Sequence, residues 1–127
     1  GLLWNRISVY GQGIGMGAIN TSVIVNASCS SNNHAANMCA NSTAQGYSDW
    51  FLPSSDELHE MYSNKAVIDA EALLNGGLAF TPLKYWSSSE SQLYQPAYYA
   101  WRRDFSNGFW HNDFKNFGSM VRAIRAF

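Results

Sequence analysis

An α+β domain, with helices early and irregular strands and loops late, is the class this sequence predicts. Three observations carry it. Apolar residues recur at helical spacing through parts of the first half. A helix-start signal stands at Ser54 and Glu57. After Pro82 the chain becomes a series of short aromatic and serine-rich pieces broken by turns. Helices first and strands last imply segregated layers, not an alternating parallel sheet. A chain of 127 residues is enough for one domain and too short for two, so residues 1–127 are read as a single domain.

The elements follow in order. GLLWNRISVY (1–10) is apolar and β-branched enough for an opening strand. Gly11, Gly13, Gly15 and Gly17 break it. GQGIGMG lacks the Lys-Ser/Thr ending and the βαβ setting of a phosphate loop, so it is read as the entry to a helix over 16–27, with Ile19 and Val23 at helical spacing. The alanine-rich stretch 32–41 predicts a short second helix. Ser54 followed by Glu57 is a capping box, and Leu58, Met61 and Tyr62 supply the buried stripe of a helix over 55–63. Its acids Asp56, Glu57 and Glu60 crowd the positive end of the helix dipole, a structural placement and not a catalytic one. A further helix over 66–74 ends at Gly76-Gly77. Beyond Pro82, Asn107-Gly108 marks a turn and Val121 and Ile124 a β-type ending. Trp101, Arg103 and Phe105 share one strand face, with Arg102 and Asp104 on the other.

Charged residues make up 13 % of the chain, about half the usual share, while aromatics reach 15 %. The surface is therefore built largely of Ser, Asn, Gly and Tyr, a composition that suits adaptable recognition. Up to residue 79 two bases stand against six acids, a net −4; from residue 80 on, six bases stand against three acids, a net +3. The last third is thus a candidate anion-facing surface, ordinary scatter of charge being the plainer reading. Nucleic acid is not expected, because the net charge is −1 and no basic stripe alternates with stacking aromatics. No apolar run approaches the ~20 residues of a membrane span, so membrane insertion is not expected.

Cys29 and Cys39 lie close together in a Ser/Asn-rich stretch. Two thiols cannot make a four-thiolate zinc site. A disulfide between them suits an oxidising compartment and is the pairing we read, with two unpaired thiols as the other reading. His34, His59 and His111 are scattered without metal-ligand spacing, and no cofactor or metal is expected. Gln95-Pro96-Ala97 and Trp110-His111-Asn112-Asp113 approximate a calcium-lectin loop and strand. However, Ala97 removes an oxygen ligand, His111 splits the second motif, and calcium needs six to eight oxygens.

DWFLPSSDEL (49–58), YWSSSE (85–90), AWRRDFSNG (100–108) and VRAIRAF (121–127) form an ordered series. In order and spacing it resembles the C-terminal domain family of the Legionella collagen-like adhesin, over roughly residues 15–127. It is also similar to the variable ligand-binding proteins of diversity-generating retroelements. The resemblance implies a C-type-lectin-like (formylglycine-generating-enzyme-like) fold with paired terminal strands and a ligand site on the late, irregular segments. It further implies a homotrimeric head, outside the cell on a bacterial surface, that binds sulfated polysaccharides such as glycosaminoglycans in attachment and aggregation. Phe51 departs from the family, which often carries Arg or Tyr between Trp and Leu-Pro. The formylglycine relatives use a late pair of catalytic cysteines, which this chain lacks after residue 39, so no enzyme activity is expected.

Mapped on the diversified relatives, Trp86, Trp101, Phe105, Gly108 and the VRAIRAF ending are framework, with Trp101 and Phe105 in the core. Displayed positions are Gln92, Leu93, Tyr94, Arg102, Arg103, Phe109, Trp110, His111, Asp113, Phe114 and Phe117. FWHNDFKNF (109–117) is read as a loop whose aromatics cannot all be buried, the contrary reading being a loop folded back into the core. The ligand residues expected are Arg102, Arg103 and Lys115 for sulfate, with Trp110, His111, Phe114 and Tyr94 beside them. Arg122 and Arg125 are weighed as structural ahead of ligand contact. The alternative function is a diversified protein-binding receptor module of the retroelement-type variable proteins, working through the aromatic segment, with a host surface protein among the partners it implies.

Overall fold

A computed structural model of the chain describes residues 11–27, 34–91, 99–115 and 118–126. Four helices precede three strands: α1 (Met16–Asn26), α2 (Ala35–Ala40), α3 (Ser55–Ser63), α4 (Lys65–Leu74), β1 (Lys84–Glu90), β2 (Tyr99–Asp104) and β3 (Trp110–Phe114). The strands form an antiparallel sheet in the order β1-β2-β3. The α+β class and the helix positions therefore match the sequence reading closely. The expected opening strand at 1–10 and residue Cys29 lie outside the described residues. Cys39 is buried with a free thiol, whose pKa burial pushes up to about 12.

Two expectations for the late segments are corrected. FWHNDFKNF is not all loop, because Trp110–Phe114 pairs along β2 with Trp110 opposite Arg103 and Phe114 opposite Tyr99. The turn that permits this sits at Gly108, whose φ of 81° favours glycine and whose N–H returns to the Asp104 carbonyl at 2.7 Å. A Cβ at Gly108 would also meet the Tyr62 hydroxyl at 2.8 Å, so α3 packs directly on the turn. The VRAIRAF ending, conversely, is not a continuous strand. It makes an antiparallel bridge from Ile124 to Phe51, and just before it Met120 bridges to Tyr85 in parallel.

Alternation along β1 sends consecutive rings to two separate cores. Trp86 joins Ile24, Ala35, Ala36, Cys39, Leu52 and Ala100, with α1 and α2 contributing. Tyr85 joins Leu58, Met61, Phe80 and Phe105 with α3. In this second core Phe80 and Phe105 have ring centroids 4.6 Å apart, and Tyr85 and Phe105 4.7 Å. Phe105 is thus a core residue, as expected.

The serines of β1 are buried without being apolar. Ser87 Oγ donates to the Trp101 carbonyl at 2.8 Å, Asn20 Nδ2 of α1 donates to Ser88 Oγ at 3.2 Å, and Ser89 Oγ donates to the Gly11 carbonyl at 2.6 Å. Ser89 Oγ also accepts from the Ser55 N–H at 3.0 Å. These bonds fasten α1, the α3 entry and β2 to one strand.

Glu57 joins two helix starts. Its Oε1 accepts from the Ser54 N–H at 2.8 Å, closing the capping box, and from the Gly17 N–H at 3.0 Å; Oε2 accepts from the Gly15 N–H at 3.3 Å. The amino end of α1, which a phosphate loop would offer to a ligand, is thus filled by an internal carboxylate. Gly17 is required there because an added Cβ would meet the Leu52 carbonyl at 2.8 Å and the Ser54 nitrogen at 2.9 Å.

Gly17→Ala should therefore lower stability by about 1–3 kcal/mol through overpacking, read as a lower urea midpoint with unchanged slope. His34 gives a pH-dependent expectation. It caps α2 by accepting from the Asn37 N–H at 3.4 Å, and burial lowers its pKa from 6.5 to about 4. The native state thus takes up fewer protons than the unfolded state between these values, so the His34 contribution is complete above pH 6.5 and is lost as the pH falls towards 4. His34→Asn keeps a capping acceptor without the titration. Its urea midpoint should fall less than the parent's between pH 7 and about 4.5.

Candidate functional site

The register of β2 and β3 sorts the expected ligand residues onto two faces. Arg103 and Trp110 face each other across the strands, as do Trp101 and Asn112, and Tyr99 and Phe114. Arg102 lies opposite His111 on the reverse face, so His111 and Arg102 are not brought to the same surface as Trp110. Tyr94 lies outside the described residues, as do Gln92, Leu93 and Phe117.

The exposed basic face expected from Arg102, Arg103 and Lys115 is not built. They are 7 %, 8 % and 4 % exposed. Arg102 Nε donates to Asp113 at 2.5 Å, its Nη1 donates to the Gly118 carbonyl at 3.2 Å, and its guanidinium stands 5.2 Å from the Trp86 ring centre. Lys115 is ion-paired with Glu90, both side chains being fully buried, and burial lowers the Lys115 pKa while Glu90 opposes that shift. The physical reason is that a buried charge requires a partner, and the late segment supplies carboxylates to two of these cations. Arg122 and Arg125 are structural, as weighed. Arg125 grips Asp49 with two bonds of 2.7 and 2.9 Å, and Arg122 donates to the Leu78 carbonyl at 3.0 Å.

Arg103 differs from the other two. Its guanidinium lies 4.5 Å from the Tyr62 ring centre and 4.8 Å from that of Trp110. Nη1 meets His59 Nδ1 at 2.5 Å; a guanidinium only donates, so Nδ1 accepts and the imidazole proton sits on Nε2. Burial lowers the Arg103 pKa from its usual value. Among the described residues it forms no ion pair, and its Nε is buried without a hydrogen-bond partner.

Beside Arg103 a cleft of about 260 Å³ opens between α3 and the sheet, lined by Gln12, Ser55, Asp56, His59, Trp101 and Trp110. Trp101 and Trp110 meet edge to face, with centroids 6.4 Å apart. Trp101 is accordingly half-buried in the cleft wall and belongs to neither core, which corrects its reading as a core residue. Trp110, Phe114 and Phe109 are 36 %, 41 % and 66 % exposed, and Phe114 stacks on Tyr99 at 4.5 Å. Sequence reasoning missed Gln12, Ser55, Asp56 and His59 as cleft residues. Helical spacing does place Ser55, Asp56 and His59 within one turn, but nothing in the sequence shows which strand that turn faces. No group of three or more metal-ligating side chains occurs among the described residues.

The domain is thus an α+β layer of early helices on a small antiparallel sheet, with an aromatic cleft between α3 and β2–β3. Residues 1–125 match the family model of the Lcl C-terminal domain, and the chain belongs to that family, whose theme is the collagen-like adhesin. No curated protein and no solved structure matches it. No helix among the described residues is long and apolar enough to cross a membrane.

The Glu90–Lys115 pair yields a stability test. Glu90→Ala should cost about 3–5 kcal/mol because it strands a buried ammonium, whereas Glu90→Leu with Lys115→Met should recover most of that loss. Urea midpoints of the two variants, measured side by side, check the difference.

Proposed function

We propose that this chain is the non-catalytic head of a bacterial surface adhesin, acting outside the cell. Its ligand is a sulfated polysaccharide such as a glycosaminoglycan, held in the cleft between α3 and the outer strands. The observation that carries the reading is the pairing of two cleft tryptophans with Arg103, a guanidinium that has no carboxylate partner among the described residues. Flat indole faces suit sugar rings, and an uncompensated cation beside them selects an anionic chain. Arg102 and Lys115 serve the fold in this reading, which replaces the broad basic face by one aromatic cleft.

The family supports the adhesin role, and early helices on an antiparallel sheet are compatible with a C-type-lectin-like arrangement. A homotrimer of such heads would multiply a modest single-site affinity through effective concentration. No cofactor enters the proposal. A second reading, binding of a host surface protein, is favoured by the exposed Phe109 and Phe114 on the same hairpin.

Retention on a heparin column separates the two. Trp110→Ala should weaken polysaccharide binding about tenfold or more, as loss of an aromatic anchor does, and elute at lower salt with its melting temperature kept. Arg102→Glu should instead lower the melting temperature, because it places a carboxylate against Asp113. Unchanged heparin retention in Trp110→Ala would reject the cleft. Salt-tolerant binding of a protein partner that is lost in Phe109→Ala would support the second reading.

A further inference from the structure

The sheet face behind the cleft tryptophans carries more polar capacity than the fold uses. Arg103 Nε is buried and unpartnered on a side chain more than nine-tenths buried. Across from Trp101, both Nδ2 and Oδ1 of the Asn112 amide are likewise buried without a partner. Desolvating an uncompensated guanidinium and an unmet amide is unfavourable, and these two side chains lie on the same sheet face, in register with the cleft tryptophans. Arg102, next along β2, and Lys115, just past β3, show that this chain supplies carboxylates to its other buried cations. Among the described residues, Arg103 is the buried cation left without a carboxylate.

We infer that this face is a subsite for one acidic pyranose ring. Its single anionic group, a carboxylate or a sulfate ester, meets Arg103 through the seam between Trp110 and His59. One of its hydroxyls exchanges hydrogen bonds with the Asn112 amide, which offers both a donor and an acceptor. The apolar side of the ring lies on an indole of the Trp101–Trp110 pair. This deepens the reading of the domain as a glycan-binding head and rests on it. One unpaired cation means that one charge is read at this subsite, so the ligand is recognised by a single residue of its chain and not by the density of its charge.

Quenching of tryptophan fluorescence in the full chain tests the subsite with three sugars. These are an unsulfated uronic-acid disaccharide, a hexosamine bearing one sulfate and no carboxylate, and a neutral disaccharide of the same ring size. At least one acidic sugar should bind about tenfold or more tightly than the neutral one, the contribution of one charged hydrogen bond. Which of the two does so identifies the anion. Its affinity should fall only weakly with salt, at a logarithmic slope of at most about one, because a ligand with a single charge carries no condensed counterions to release. Arg103→Gln should abolish the preference for the acidic sugar. Asn112→Ala should weaken binding while keeping the salt slope, which preserves the test if Arg103→Gln fails to fold. Equal binding of acidic and neutral sugars overturns the inference, as does a slope of several units or a preference that survives Arg103→Gln. Heparin retention of the unaltered protein is measured alongside. If retention persists while the subsite arms fail, only the inference falls; if both fail, the glycan reading falls with it.

Discussion

Ser87, Ser88 and Ser89 bring three hydroxyls into the interior on consecutive residues of one strand, and each must meet a partner there. The partners come from distant parts of the chain: Asn20 on α1, the Gly11 carbonyl, the Ser55 N–H at the start of α3, and the Trp101 carbonyl on β2. A hydroxyl bond has a direction and a narrow range of length, unlike apolar contact. The serines therefore specify where α1 and α3 sit against the sheet more sharply than the surrounding aliphatic packing could. Once α3 is set by Ser55, the position of His59 and Tyr62 over β2 follows, and with it the cleft.

The same logic extends to charge. Glu90 continues the buried run and meets Lys115, while Asp113 meets Arg102. Such pairs add little net stability but strongly disfavour arrangements in which one partner is left alone. They hold the end of β3 and the segment after it in register with β1 and β2. The +3 balance of the last third already counts Glu90 and Asp113, so these two internal pairs leave it unchanged; what they withdraw from the surface is Arg102 and Lys115 themselves. Arg103 is held by ring faces and by a histidine nitrogen, contacts that position it without cancelling its charge.

Local signals were the most legible in the sequence. Ser54 and Glu57 mark the start of α3 correctly because a capping box is a short-range bond pattern, and the breaks at Gly76-Gly77 lie just past α4. The sequence could not show that Glu57 also receives the amides of Gly15 and Gly17, forty residues upstream. The stretch from Trp110 to Phe114 reads as loop because its sequence lacks apolar and polar alternation: Asn112 shares a face with Trp110 and Phe114. Arg102 and Lys115 looked like surface ligands because burial of a cation depends on a carboxylate distant in sequence or across a strand. Resemblance supplied the family but not the cleft, whose walls come from α3, β2, β3 and Gln12.

The turn at Gly108 rests against Tyr62, which anchors the β2–β3 hairpin to α3 from its inner side. The exposed residues Phe109, next to that anchor, and Phe114, at the far end of β3, have no comparable duty in either core. Exchange of exposed side chains of this kind alters folding free energy by only about 0.5 kcal/mol. The hairpin thus separates two kinds of heritable change. Positions under Gly108 and Tyr62 are constrained by architecture, while those on the rim can change their chemistry without first regaining a stable fold.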